Sequence, residues 1–387
     1  MRRSAALVVA LVVVTAGCDQ VFNLTRPPDA FVEPDASADD AMIDALPVVC
    51  GLGAPTPPRA VPSKATAIVA GRFDENSGVD VAVGSSGIAG LRFIFDVNGS
   101  TTVVEDILGG APVVALASGD LNHDMLDDVV AVAGSMTYVL LQTASNWDIR
   151  TVGLVGGTAD SVAIGNFDGA EPDDLLVAHA TSRALQLVLG SAQGYTRGGS
   201  LPTMESPVDA IATDIDGDLD ADVVAVMEGD NGVAVWRNNG GAFMGGTTIP
   251  TGLKPTAVVA GKLGNRQVVD VVVANHDSND ITILRNDGNG NFAAEMNITV
   301  GQGPVALALA DLDNDGNADI LVVNNKSNSV TLLRGTPTAF EAGRPYTTAA
   351  KPVALAVADI TEDGHLDVAV LGEDGFVIHP AACAPPP

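Results

Sequence analysis

An aspartate that opens a short apolar run recurs at Asp80, Asp128, Asp174, Asp222, Asp270, Asp319 and Asp367, at intervals of 48, 46, 48, 48, 49 and 48 residues. A period this regular over most of a 387-residue chain marks one supersecondary unit repeated in an array. Every unit reads in the same order. A small, Ala-rich first strand ("PVVALASGDL", "PVALALADL") leads into an acidic loop. The second strand opens on the aspartate ("DVVAVAG", "DILVVNN"), the third alternates ("GVAVWRNN", "DITILRND"), and a variable fourth precedes the next turn. Hydrophobic residues make up 47% of the chain but aromatics only 4%, with 42 Gly, which suits short strands and tight turns. A solenoid of such units would need capped ends, whereas a ring leaves only short edges. The expectation is therefore all-β: a seven-bladed β-propeller of four-stranded antiparallel blades over residues 48–384.

The chain ends bear on closure. The seventh unit has a first strand (352–360), a second (367–373) and a third, "GFVIHPA", and then the sequence stops. Its fourth strand is expected from the segment around Arg59 to Lys64. Cys50 and Cys383 flank the two pieces to be joined, and a disulfide between them would staple the ring. The alternative is two free thiols.

Residues 1–17 carry Arg2 and Arg3, an apolar run from Ala5 to Val14 and "TAG" before Cys18. This resembles a bacterial lipoprotein signal with Cys18 as the lipidated residue, although Thr15 stands where that motif more often has Leu. An ordinary cleaved signal with an incidental cysteine is the alternative. Residues 18–47 are rich in Asp, Ala and Pro without a hydrophobic period, the composition of a flexible acidic tether. The expected location is thus extracytoplasmic, anchored by lipid to the bacterial cell envelope. A formal charge of −29 disfavours nucleic acid and anionic surfaces.

The acidic loops have nine positions, the ninth being the recurrent aspartate. Unit six places Asp311, Asp313, Asp315, Gly316 and Asp319 at positions 1, 3, 5, 6 and 9, with the carbonyl of Asn317 at position 7. Alternating oxygen ligands around a turn-forming Gly suit Ca2+, which takes six to eight oxygens. Unit four offers Asp214, Asp216, Asp218 and Asp222, with Leu219 at position 6. Unit two offers Asp120, Asn122, Asp124 and Asp128, with Met125 there. Unit seven offers Asp359, Thr361, Asp363 and Asp367. About four calcium sites are expected from these units. Unit three (Asn166, Asp168, Ala170, Asp174) and unit one (Arg72, Asp74, Asn76, Asp80) depart further. In unit five Lys262, Gly264 and Arg266 precede Asp270, and a basic side chain is expected to replace the metal.

The repeat resembles the FG-GAP/VCBS type of integrin α-subunit propellers and many bacterial surface proteins, over residues 60 to 380. The resemblance rests on the loops and on Gly290-Asn291-Phe292, similar to the family's Gly-x-Phe turn. Gly110-Ala111-Pro112 is the one clear Gly-Ala-Pro word. It implies a calcium-stabilised propeller whose ligands engage the face opposite the acidic loops. The turns expected there carry His179, Arg183, Glu228, Asp230, His276, Asp277, Asn325 and Lys326. None of the five histidines forms a metal-ligand spacing, and no nucleophile elbow or phosphate-cradling loop appears. The expectation is a non-catalytic binder of an envelope protein or glycan. A polysaccharide lyase or hydrolase and a purely structural component are the alternatives.

Overall fold

The computed structural model describes residues 49–384 apart from 77, 88–89, 98–102, 144–145, 156 and 374. The signal residues, Cys18 and the tether lie outside the described residues. The described residues form seven antiparallel blades in sequence order, six of four strands and one of three, with a further two-stranded sheet joining the two ends. Blade six is typical, with strands Pro304–Ala310, Asp319–Asn324, Ser329–Leu333 and Arg344–Thr347 paired in succession. The first strands of consecutive blades pack together all the way round. Ala65–Gly71 of blade one meets Ala354–Ala358 of blade seven, so the ring is closed. The fold is the expected seven-bladed propeller.

Burial grades from axis to rim. In six blades every residue of the second strand is buried, as in Asp174–His179 and Asp222–Met227. A strand covered on both faces by neighbouring blades needs a continuous apolar run, which is why "DVVAV" shows no alternation. Fourth strands such as Thr196–Pro202 are mostly exposed, which permits their variable sequences.

One layer of the inner strands is nearly uniform. Five residues before each acidic loop stand Ala67, Ala115, Ser161, Asp209, Ala257, Ala306 and Ala354, all buried. Small side chains fit where seven strands converge. Blades three and four break the pattern together: Ser161 Oγ donates to Asp209 Oδ1 at 2.7 Å. The backbone N–H of Ala210 donates to the same oxygen, and that of Val258 in blade five donates to Oδ2 at 3.1 Å. One carboxylate thus links three blades. Burial pushes Asp209 up to about 7, although its three donors pull the other way.

Closure at the ends departs from expectation in position. The partner of the last strand, Gly375–His379, is Gly53 to Arg59, overlapping the expected Arg59–Lys64 segment only at Arg59. The N–H groups of Gly53, Thr56 and Arg59 donate to the carbonyls of Pro380, Ile378 and Phe376. Pro55, Pro57 and Pro58 have no N–H to give, so the bonds fall on Gly53, Thr56 and Arg59 before, between and after them. Beyond this edge Val49–Leu52 pairs with Ala381–Ala384, and the register sets Cys50 opposite Cys383. The side chains of these two cysteines lie outside the described residues.

Two outcomes are expected. Peptide mapping without reductant should recover a Cys50–Cys383 cross-linked peptide, and recovery of both as alkylated thiols would refute the staple. The second follows from Asp209. Its folded value of about 7 exceeds the ordinary 3.8, so the folded state binds the extra proton between those values. Its contribution to stability is full below about 4 and is lost as pH rises through about 7. Asp209→Asn should flatten the fall in melting temperature across that window in chelator; an unchanged slope would remove Asp209 as its source.

Candidate functional site: the acidic loop face

The recurrent aspartate has a structural duty in every blade. Asp319 is 1% exposed; the N–H of Leu312 donates to its Oδ2 and that of Gly335, beyond the third strand, to its Oδ1 at 2.7 Å. The same pair of bonds holds Asp80 (Phe73, Asp96), Asp128 (Leu121, Gln142), Asp174 (Phe167, Gly190) and Asp222 (Ile215, Asn238). Asp367 is held by Thr361 and Ala381. Each carboxylate therefore ties its own acidic loop to the exit of its own third strand. Burial pushes Asp128, Asp222 and Asp319 up to about 7, and Asp80 and Asp174 up to about 6, against the pull of these N–H donors.

Blade five solves the same problem with charge. Asp270, fully buried, accepts the N–H of Asn286, but its other oxygen meets Arg266 Nε at 3.1 Å and Arg285 Nη1 at 2.7 Å. The expected basic partner, Arg266, is present, and Arg285 from the third strand joins it.

Within the loops the other positions divide the work. The position 1 carboxylates organise the turn: Asp311 accepts the N–H groups of Asp315 and Gly316, and Asp120 those of Asp124 and Met125. Asp214 and Asp359 do the same in blades four and seven. At position 5, Asp124, Asp218, Asp315 and Asp363 each accept an N–H two residues on. In blades two, four, six and seven position 6 takes a left-handed backbone, with φ of 74° at Met125, 75° at Leu219, 85° at Gly316 and 84° at Gly364. Met125 and Leu219 accept a conformation that glycine adopts more readily, and both point into solvent.

Position 3 differs. Asp216 Oδ1 and Asp313 Oδ1 are buried atoms with no hydrogen-bond partner, at equivalent places in blades four and six. Burial and the neighbouring aspartates push both carboxyls up. Oxygens of Asp214, Asp216 and Asp218 lie within 4.8 Å of one another, as do those of Asp311, Asp313 and Asp315. The structure thus brings the position 1, 3 and 5 carboxylates together in both blades. Asp222 and Asp319 are engaged separately by two backbone donors each. In blade two Asn122 Oδ1 is already taken by the N–H of Asp124. Asn317, expected through its carbonyl, has its side chain bonded to Asp315.

On the opposite face the turns bring most of the expected residues to the surface, largely as pairs. Arg183 meets Glu205 at 3.7 Å, Lys254 meets Glu228 at 3.6 Å, and Asp230 accepts Thr248 Oγ1. His276 Nδ1 lies 2.6 Å from Asp277, whose carboxyl this contact holds below the usual range; Lys326 of the next blade approaches Asp277 at 3.9 Å. Asn325 donates to the carbonyl of Pro352. His179 is a correction. It is fully buried, with Nδ1 3.4 Å from the Thr158 carbonyl, so it is not part of this surface.

Sequence reasoning missed three residues here. Asn231, Asn279 and Asn328 adopt left-handed backbones, and their Oδ1 atoms accept the N–H groups of Lys254, Gly303 and Lys351 in the links to the next blade. The signal was present: each lies nine residues after its blade's recurrent aspartate.

Residues 265–322 and 311–370 match a family model described as FG-GAP-like repeat. Together the two matches span residues 265–370, which are similar to FG-GAP-like repeats. Each matched stretch runs from the loop before one blade's second strand to the second strand of the following blade, the parts held by the recurrent aspartate. Among solved structures, the chain is similar to BBS1N in complex with ARL6DN, soaked with lead. Identity is 12%, 87% of this chain and 97% of that chain are covered, and the TM-score is 0.64. The mercury-soaked form gives 11% identity, 87% and 94% coverage, and a TM-score of 0.58. At such identity the likeness concerns the fold alone. No curated protein matches the chain.

Proposed function

We propose that this chain is a non-catalytic, calcium-stabilised propeller, anchored by lipid to the cell envelope, that binds a protein or glycan partner through the face opposite its acidic loops. The observation that carries the calcium reading is the pair of buried, unpartnered oxygens, Asp216 Oδ1 and Asp313 Oδ1, each within a three-carboxylate cluster. An orphaned buried carboxylate oxygen costs free energy, and a hard cation would satisfy it together with its neighbours. The donor set, oxygen only, fits Ca2+ rather than a softer metal. Asp214, Asp216 and Asp218 would hold one ion and Asp311, Asp313 and Asp315 another, with weaker sites in blades two and seven. The ion would supply positive charge that offsets the repulsion among these carboxylates.

Anchoring is supported by the basic n-region, the short apolar run and Cys18, and outward reach by the acidic tether. Partner binding is supported by the spread of charged side chains over the turns of the opposite face. The propeller BBS1N is likewise recorded in complex with a partner, ARL6DN. The reading as a non-enzyme is supported by the use of the recurrent and loop aspartates, most of which go to backbone staples and to the two carboxylate clusters.

Calcium should raise the melting temperature and a chelator lower it. At a dissociation constant near ~0.1 mM, ~1 mM calcium contributes about 1.4 kcal/mol per site. Asp313→Ala should remove part of that response. Asp270→Ala should lower stability by about 3 kcal/mol, by stripping Arg266 and Arg285 of their shared buried partner, while leaving the calcium response intact. A melting curve indifferent to chelator would sink the calcium reading.

Replacing His276 and Asp277 together should weaken capture of a partner from envelope extract without altering calcium-dependent melting. Capture that survives this double change, or turnover of a polysaccharide by the purified protein, would overturn the binding assignment.

A further inference from the structure

A groove of about 360 Å³ opens on the loop face between blades one and two. Its floor belongs to the blade-one loop, where Arg72 displaces the position 1 carboxylate. The backbone N–H of Arg72 donates to Asp127 Oδ2 at 2.8 Å and its carbonyl accepts the Asp127 N–H, tying the loop to blade two. Three carboxylates, Asp74, Glu75 and Glu105, border the groove, and among the described residues no Lys or Arg lines it.

One wall is aromatic and rigidly held. Trp147 packs on Phe93 with ring centroids 4.6 Å apart, and Phe93 stacks in turn on Phe95 at 5.7 Å. Trp147 and Phe95 both line the groove. The chain has two Trp and 4% aromatics, so this concentration is out of proportion to its composition. Directly across the ladder from Trp147 stands Gln142. Gln142 also lines the groove, is 8% exposed, and carries an Oε1 atom with no hydrogen-bond partner. A buried amide oxygen without a donor marks a place where a donor is missing.

We propose that this groove binds an arginine side chain presented by a protein partner. A guanidinium is planar, stacks on an aromatic face, and carries five N–H donors with a permanent charge. It would answer the three features at once: carboxylates lacking a counter-charge, an aromatic wall, and an unsatisfied acceptor. A divalent ion would use the carboxylates but leave the aromatic wall without a role. A neutral sugar would use the wall but leave three carboxylates uncompensated. The −29 charge of the chain favours the approach of a basic segment. This assignment uses neither the calcium clusters nor the opposite face, and its failure would leave the proposed function standing.

The test is titration of the full chain by calorimetry and tryptophan fluorescence in chelator. The probes are acetyl-tetra-arginine amide, its citrulline counterpart, methyl glucoside and calcium chloride. Saturable binding of the arginine peptide, with a fluorescence change abolished in Trp147→Phe, is expected. Glu105→Gln and Gln142→Leu should each weaken it about tenfold, the loss of one charge-assisted hydrogen bond. Glu105 is exposed, so its variant should keep the parental melting curve even if Gln142→Leu does not. Equal binding of the citrulline peptide, a response to methyl glucoside or calcium chloride alone, or an arginine response untouched by Glu105→Gln would each overturn the proposal.

Discussion

The fold depends on one interaction made in six of the seven blades: a buried aspartate whose two oxygens hold two separate stretches of backbone. The acidic loop and the exit of the third strand are separate stretches of chain, and the aspartate bonds directly to both. Placing the acceptor on the first residue of the second strand, the most buried strand of the blade, anchors both to the best-packed element. Blade five shows how strict the requirement is. When its loop changes character, two arginines take over one of the two bonds and the aspartate stays.

This ordering separates the architecture from the proposed ion sites. The staple needs only backbone donors, so it operates in blades with or without converging carboxylates. Position 3 of the loop is then free to vary: aspartate with an unpartnered oxygen in blades four and six, an internally bonded Asn122 in blade two. The same logic applies on the far side. Asn231, Asn279 and Asn328 fasten links between blades, leaving their neighbours to carry charge without disturbing the ring.

Much of this was legible in the sequence because the period and the aspartate are the same physical fact. A residue that must be buried at the start of a strand cannot drift, so it keeps register from Asp80 to Asp367 through otherwise variable chain. Four features were not legible in this way. The closing segment was placed too late because Gly53 to Arg59, rich in proline, has no alternation and forms bonds only where an N–H remains. His179 looked like a turn residue, yet it still belongs to the strand and faces inward. The aromatic wall of blades one and two joins Phe93 to Trp147, residues too far apart for spacing to reveal. The Asn staples were visible as a repeat but were masked by the habit of reading polar turns as variable surface.

The way blade seven is completed also orders events in time. Hairpins within a blade pair residues close in sequence and can form as soon as they are made. The bond from Ile378 to Thr56 spans 322 positions, and that from His379 to Gly53 spans 326. Until the last residues are available, the inner strand of blade one has no neighbour on its open side, and its apolar surface stays exposed. Ring closure is therefore the late, non-local step of folding, and the interval before it is when this chain is most exposed to aggregation.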